Sequence, residues 1–210
     1  MLICQGNADL QPSTESQDDT DWSAGAQAYP NVEEMPTFIS RHRESAGQQS
    51  FTTSADPQCL QGRQLQAYNL VREHAEADHP PPLRLIVSGT AGTGKSYLIH
   101  CLRLLLHRCV HVAAPTGVAA FNIEGHTLHS LLSLPVKGDF KELQGERLHE
   151  MQQSLADMEY LIIDEMSMVG RKFLGQVDQR LRQVFPQQAD ILFGGCSCLL
   201  FGDFGQLHNS

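Results

Sequence analysis

The chain has 210 residues, a net charge of −9 and 41% hydrophobic residues, enough for one α/β domain and a tail. No apolar run reaches membrane-spanning length, and the start lacks the basic region and long apolar stretch of a signal peptide. No membrane partner is therefore expected, and a soluble intracellular protein is. Acidity at first argues against nucleic acid, but residues 1–58 carry nine acids against Arg41 and Arg43 (−7), while 59–210 carry 15 acids and 13 basic residues (−2). The second part is near neutral and leaves room for a local basic groove.

Residues 1–58 are rich in Ser, Thr, Gln, Asp and Pro, show no apolar period, and read as a disordered acidic tail. The patch Met35-Pro36-Thr37-Phe38-Ile39-Ser40 reads as an incidental apolar cluster or a docking segment. From Leu60 the spacing of Leu60, Ala67, Leu70 and Val71 predicts an amphipathic helix, stopped by Pro80-Pro81-Pro82. An apolar strand over 83–88 then runs into Gly89-Thr90-Ala91-Gly92-Thr93-Gly94-Lys95-Ser96, a G-x-x-x-x-G-K-S phosphate-binding loop. Glycines let the backbone turn tightly and aim its N–H groups at a polyphosphate. In this pattern Lys95 reaches the β- and γ-phosphates and the Ser96 hydroxyl ligates Mg²⁺. The bland alternative is a glycine-rich turn that binds nothing. The strand before it and the helix expected over 95–107, with Leu98, Ile99, Leu102, Leu105 and Leu106 on one face, favour the nucleotide site.

A second strand is expected over 109–114, followed by the turn Pro115-Thr116-Gly117 and a small-residue helix over 118–123. A turn opening a helix presents N–H groups and the Thr116 hydroxyl to an anion such as a nucleic-acid phosphate. Residues 126–134 read as a short helix, and 143–158 as a surface helix. His126 and His129 have metal-like spacing, but with no other ligand in view they read as polar or capping histidines. The third strand, Tyr160-Leu161-Ile162-Ile163-Asp164, is apolar up to its last residue, as expected in a parallel sheet buried on both faces. It delivers Asp164 and Glu165 to its end, where the first suits a Mg²⁺ site and the second can polarise an attacking water. A lone Asp-Glu would read as a solvated strand end; the upstream phosphate loop changes that. A helix over 168–184 precedes Pro186, and a fourth strand over 198–203 leads to Gln206, placed to sense a γ-phosphate. The six cysteines, Cys4, Cys59, Cys101, Cys109, Cys196 and Cys198, are scattered and read as reduced thiols. Cys196-x-Cys198 lacks the second pair a zinc site needs. Alternating strands and helices imply a doubly wound parallel sheet with its ligand beyond the strands' carboxyl ends.

The succession GTAGTGKS, APTGVAAFNIEGHTLHSLL, YLIIDEMSMV and LLFGDFGQL resembles the Pif/RecD-type helicases of superfamily 1B, in particular the eukaryotic Pif-like branch, over about residues 60–207. The resemblance implies a RecA-like P-loop NTPase fold, ATP and Mg²⁺ as cofactors, and single-stranded or forked DNA as partner. It implies ATP-driven 5′-to-3′ unwinding in genome and telomere maintenance, repair and recombination, in the nucleus rather than the mitochondrion. By matching positions, Gln64 corresponds to the adenine-reading glutamine. Gly92, Gly94, Lys95 and Ser96 correspond to the triphosphate and Mg²⁺ site, Asp164 to the metal-linked acid, Glu165 to the catalytic glutamate, and Gln206 to the γ-phosphate sensor. Thr116, Gly117, Thr127 and His129 fall in segments that face single-stranded DNA. Where the family continues Pro-Pro-Val, this sequence reads Leu207-His208-Asn209-Ser210. The second motor domain, with its arginines for the γ-phosphate, is expected to be absent, leaving 59–210 as a first motor domain. Two other readings are a lone module that binds ATP, and DNA weakly, without productive turnover, and an unrelated P-loop kinase. A kinase would need an acceptor site and a lid, and the 116–130 block argues against it.

Overall fold

The computed structural model describes residues 55–136 and 138–203. The expected tail up to residue 54, its 35–40 patch, Cys4 and Gln206 lie outside the described residues. Among the described residues, five parallel strands form one sheet: β1 (Arg84–Ser88), β2 (Val110–Ala114), β3 (His126–Thr127), β4 (Tyr160–Ile163) and β5 (Ser197–Gly202). Their order is β1-β5-β4-β2-β3, and every pairing is parallel. Helices α1 (Gly62–Glu76), α2 (Lys95–Leu106), α3 (Gly117–Asn122), α4 (Leu128–Leu131), α5 (Gly145–Ser154) and α6 (Arg171–Val184) fill the connections. A parallel pair needs a long crossover, so strand–helix alternation imposes this layered form.

Side chains alternate across a strand, so each buried strand feeds two cores. Tyr160 and Ile162 of β4 join Val112, Ala114, Leu199 and Phe201 beneath α1, α2 and α3. Leu161 and Ile163 join Ala113, Cys196 and Cys198 beneath α5 and α6. All four β4 residues are buried, as their unbroken apolar run requires. In α2, Leu98, Ile99, Leu102 and Leu106 are buried while Leu104 is exposed. Each such leucine contributes roughly 1.5–3 kcal/mol of burial.

Several boundaries differ from expectation. Residues 126–134 are not one helix: His126 and Thr127 pair with Ala113 and Ala114 as a fifth strand, and only Leu128–Leu131 is helical. Pairing with the β2 edge satisfies backbone groups that a helix beginning at His126 would leave unpaired. The surface helix covers Gly145–Ser154 rather than 143–158, because Leu155 and Met158 turn inward to the core. Met166–Met168 forms a separate 3₁₀ turn, so α6 starts at Arg171. At the other end α1 runs on to Glu76, and Leu60 is buried ahead of it. The described fold begins before Cys59: Ala55 is buried, and Asp56 exchanges two 3.0 Å hydrogen bonds with the Tyr97 hydroxyl.

Candidate functional site

The carboxyl ends of β1, β4, β5 and β2 carry the signature residues. Gly89 continues the β1–β5 ladder by donating from its N–H to the Gly202 carbonyl at 3.0 Å. The chain then leaves the sheet through Thr90, Ala91, Gly92 and Thr93, all exposed. Gly92 and Gly94 take φ of +77° and +76°, the left-handed region that disfavours a side chain. A Cβ on Gly94 would also collide with the Gln64 side-chain nitrogen. That nitrogen donates to the Thr93 carbonyl at 2.6 Å, so Gln64 on α1 touches the phosphate loop itself. Gly94 caps α2, with Lys95 and the exposed Ser96 as its first residues. The Lys95 ammonium donates to the carbonyls of Gly89 at 2.7 Å and Thr90 at 3.0 Å. An incoming phosphate competes there with two neutral acceptors, and a charge-assisted bond is the stronger one.

Asp164 extends the ladder beyond β4, its N–H donating to the Ala113 carbonyl at 2.9 Å. Its side chain is buried, and one carboxylate oxygen, Oδ1, has no hydrogen-bond partner among the described residues. Burial pushes the Asp164 carboxyl above its ordinary range; the Glu165 N–H and the Lys95 ammonium pull it back, while the Glu165 charge adds to the rise. The Lys95 contribution places Asp164 within electrostatic reach of the phosphate loop. A buried oxygen with no donor among the described residues, within electrostatic reach of the lysine that opens α2, has the chemistry to ligate a divalent cation. Glu165 sits at φ +52°, ψ +45°, a conformation that costs about 1–2 kcal/mol for a non-glycine residue. The strain turns the chain sharply away from the strand and leaves the Glu165 carboxylate half-buried at its end.

A groove of about 440 Å³ lies beyond β2, lined by Pro115, Thr116, His129, Val136, Lys172 and Phe173 among others. The rings of His129 and Phe173 stack, with centroids 4.6 Å apart and planes 22° apart. The structure thus brings Thr116 and His129 to one surface. Gly117 and Thr127 are next to them in sequence but do not line it. Both threonines act locally as caps: Thr116 accepts from the Ala119 N–H at 3.2 Å, and Thr127 from the Ser130 N–H at 3.1 Å. Of the described residues with matching roles, Gln64, the 89–96 loop, Asp164 and Glu165 gather at one end of the sheet. Sequence reasoning missed Phe173 and Lys172 of the groove, and also Arg180, which holds its wall. Arg180 falls at helical spacing beside Val177, Leu181 and Val184, and that placement was the available signal. Five cysteines, Cys59, Cys101, Cys109, Cys196 and Cys198, are free thiols.

A parallel sheet with a glycine-rich phosphate loop at one strand end and an Asp-Glu pair at another defines a P-loop NTPase lobe. The profile of PIF1-like helicases matches residues 59–209, and the chain belongs to that family. It is 36% identical over 129 residues to the ATP-dependent DNA helicase Pif1 of Psychrobacter sp., a match over 59% of this chain and 19% of that protein. It is 35% identical to the ATP-dependent DNA helicase PIF1 of Xenopus laevis, over 57% of this chain and 19% of the relative. Among solved structures, Bacteroides Pif1 bound to ssDNA superposes with a TM-score of 0.56 at 35% identity, over 69% of this chain and 32% of that one. Bacteroides Pif1 in complex with ADP-AlF4 gives 0.58 at 34%, over 70% and 33%. The chain spans about a fifth of the length of these curated relatives and about a third of the solved ones.

Proposed function

We propose that this chain is the first motor domain of an ATP-dependent DNA helicase, and that it binds and hydrolyses ATP at the 89–96 loop. The observation that carries the reading is the buried Asp164 oxygen, without a hydrogen-bond partner among the described residues and within electrostatic reach of Lys95. Such a group is costly to a fold and persists where a ligand uses it. The 89–96 backbone N–H groups and Lys95 hold and orient the β- and γ-phosphates. Gln64, already against the Thr93 carbonyl, takes the adenine-reading role that the family resemblance implies. Glu165 orients a water for in-line attack and accepts its proton. Ser96 and Asp164 would hold Mg²⁺, which when bound neutralises charge developing on the phosphate oxygens. Gln206 completes the reading as the γ-phosphate sensor.

Single-stranded or forked DNA is the partner we assign to the groove at Thr116 and His129. Support comes from its stacked aromatic pair and apolar walls, which suit splayed bases, and from the similar Bacteroides protein solved with ssDNA. The family resemblance extends the reading to 5′-to-3′ unwinding in repair, recombination and telomere maintenance, in the nucleus. The γ-phosphate arginines and the other half of the DNA track are assigned to a second motor domain outside these 210 residues.

Nucleotide binding and steady-state ATPase of the 210-residue chain, with and without oligo-dT, test the proposal. Lys95→Ala is expected to abolish binding of a fluorescent ATP analogue. Glu165→Gln is expected to keep it and to lower turnover by about 10²–10⁴, the share a general base contributes. Unchanged ATP affinity in Lys95→Ala would overturn the nucleotide site. Turnover insensitive to Glu165→Gln would remove Glu165 from its role.

A further inference from the structure

A strap of chain, described over residues 132–136 and 138–143, contributes Pro135, Val136 and Gly138 to a wall of the groove. It is fastened along a polar stripe of α6. Arg180, 1% exposed, donates to the carbonyls of Leu132 at 3.0 Å, Ser133 at 3.4 Å and Lys141 at 2.8 Å. Its guanidinium also lies 4.7 Å from the centre of the Phe140 ring. Gln183 both accepts from and donates to the Leu143 backbone at 3.2 Å. Both ends of the strap are therefore fixed by buried or half-buried bonds. A further fastener is of another kind: Lys172 Nζ donates to Asp139 Oδ1 at 2.9 Å, with side chains 75% and 91% exposed.

Lys172 is the only cation among the described residues that line the groove. It precedes Phe173, whose ring stacks on His129. The rest of the described lining is largely apolar and suits bases and sugars, so among the described residues this ammonium is the partner available to a backbone phosphate in the groove. Asp139 occupies it. We propose that Lys172 is a phosphate-binding cation of the groove and that Asp139, clasped in place by the strap, masks it until a nucleic-acid strand enters. The inference rests on the DNA reading given above. An exposed ion pair of this kind holds with only about 0–1 kcal/mol, so an incoming phosphate, aided by release of its counterions, displaces the carboxylate. The strap keeps Asp139 poised over Lys172, which makes the mask reversible and lets the groove discriminate polyanions from stray anions. Lys172 in turn holds the Asp139 carboxyl below its usual range by hydrogen bond and charge, so Asp139 stays ionised at neutral pH.

The test is fluorescence anisotropy of the 210-residue chain with fluorescein-labelled oligo-dT at several salt concentrations, for wild type, D139N, K172Q and the double variant. All four should melt within about 2 °C of one another, since exposed substitutions shift stability little. D139N is expected to tighten binding about threefold to fivefold. K172Q is expected to weaken it about fivefold and to reduce the slope of log K against log salt by about 0.7, one single-strand phosphate contact. In the K172Q background, D139N is expected to change affinity less than about twofold, because there is nothing left to unmask. Equal tightening by D139N in both backgrounds would mean that Asp139 merely repels DNA, and would overturn the masking. So would wild-type affinity in K172Q. Binding of the same strength by all four variants removes this inference and leaves the DNA reading standing. Absence of binding by every variant, D139N included, overturns the DNA reading and this inference with it.

Discussion

Asp164 shows how one residue can be shaped against its own stability. Its carboxyl is raised by burial, so the folded state binds a proton more tightly than the unfolded one. Stability is then fullest below the ordinary value of 3.8 and is lost as pH rises through the elevated folded value. At neutral pH the full penalty applies. Asp164→Asn removes the charge, and a melting temperature a few degrees above wild type is expected at pH 7. The gain should vanish as pH falls below 3.8, where the wild-type carboxyl is protonated in both states. A melting temperature at pH 7 equal to or below wild type would show that the carboxylate is not strained there. The same variant should lose Mg²⁺-dependent ATP affinity, a stability–function exchange common at active sites.

At the scale of elements, α6 does two jobs with two faces. Val177, Leu181 and Val184 enter the core under β4, while Gln176, Arg180 and Gln183 meet the strap or the groove. Arg180 has no carboxylate partner among its bonds; it is satisfied by three backbone carbonyls, the Gln183 side-chain oxygen and an aromatic face. Arg180→Met keeps the apolar bulk but orphans those acceptors, so a loss on the order of 3 kcal/mol is expected in urea denaturation. Arg180→Lys should not rescue it, because a single ammonium cannot reproduce the planar fork. Amide hydrogen exchange should rise across 132–143 in both variants. Exchange that stays at the wild-type level would place the strap's rigidity elsewhere.

For the molecule as a whole, the sheet order puts the strand that carries the phosphate loop at an edge. Among the described residues β1 pairs only with β5, and its exposure alternates, with Ile86 55% exposed. Arg84, on the same face, bonds the Leu192 carbonyl at 2.6 Å, and Leu192 is itself 58% exposed. An apolar edge of a parallel sheet is a template for association. Ile86→Lys is therefore expected to reduce concentration-dependent light scattering of the purified chain. Scattering equal to wild type would show that the edge is not the adhesive surface.

Local chemistry made the nucleotide site legible from sequence. A phosphate loop is a contiguous run of eight residues whose backbone needs glycine at two left-handed positions, and Asp164-Glu165 follows a strand whose four apolar residues admit no other placement than a buried sheet. Short-range rules of that kind also set the strand–helix alternation and the parallel fold. They could not decide what depends on partners far apart in the chain. Only the tertiary structure made His126-Thr127 a strand, by offering the β2 edge 13 residues away. Only it placed Phe173 on His129, and made Arg180 a buried clasp for carbonyls as many as 48 residues distant. Helical spacing sets Arg180 beside Val177, Leu181 and Val184, but burial of its charge is settled by which acceptors the rest of the fold brings to it.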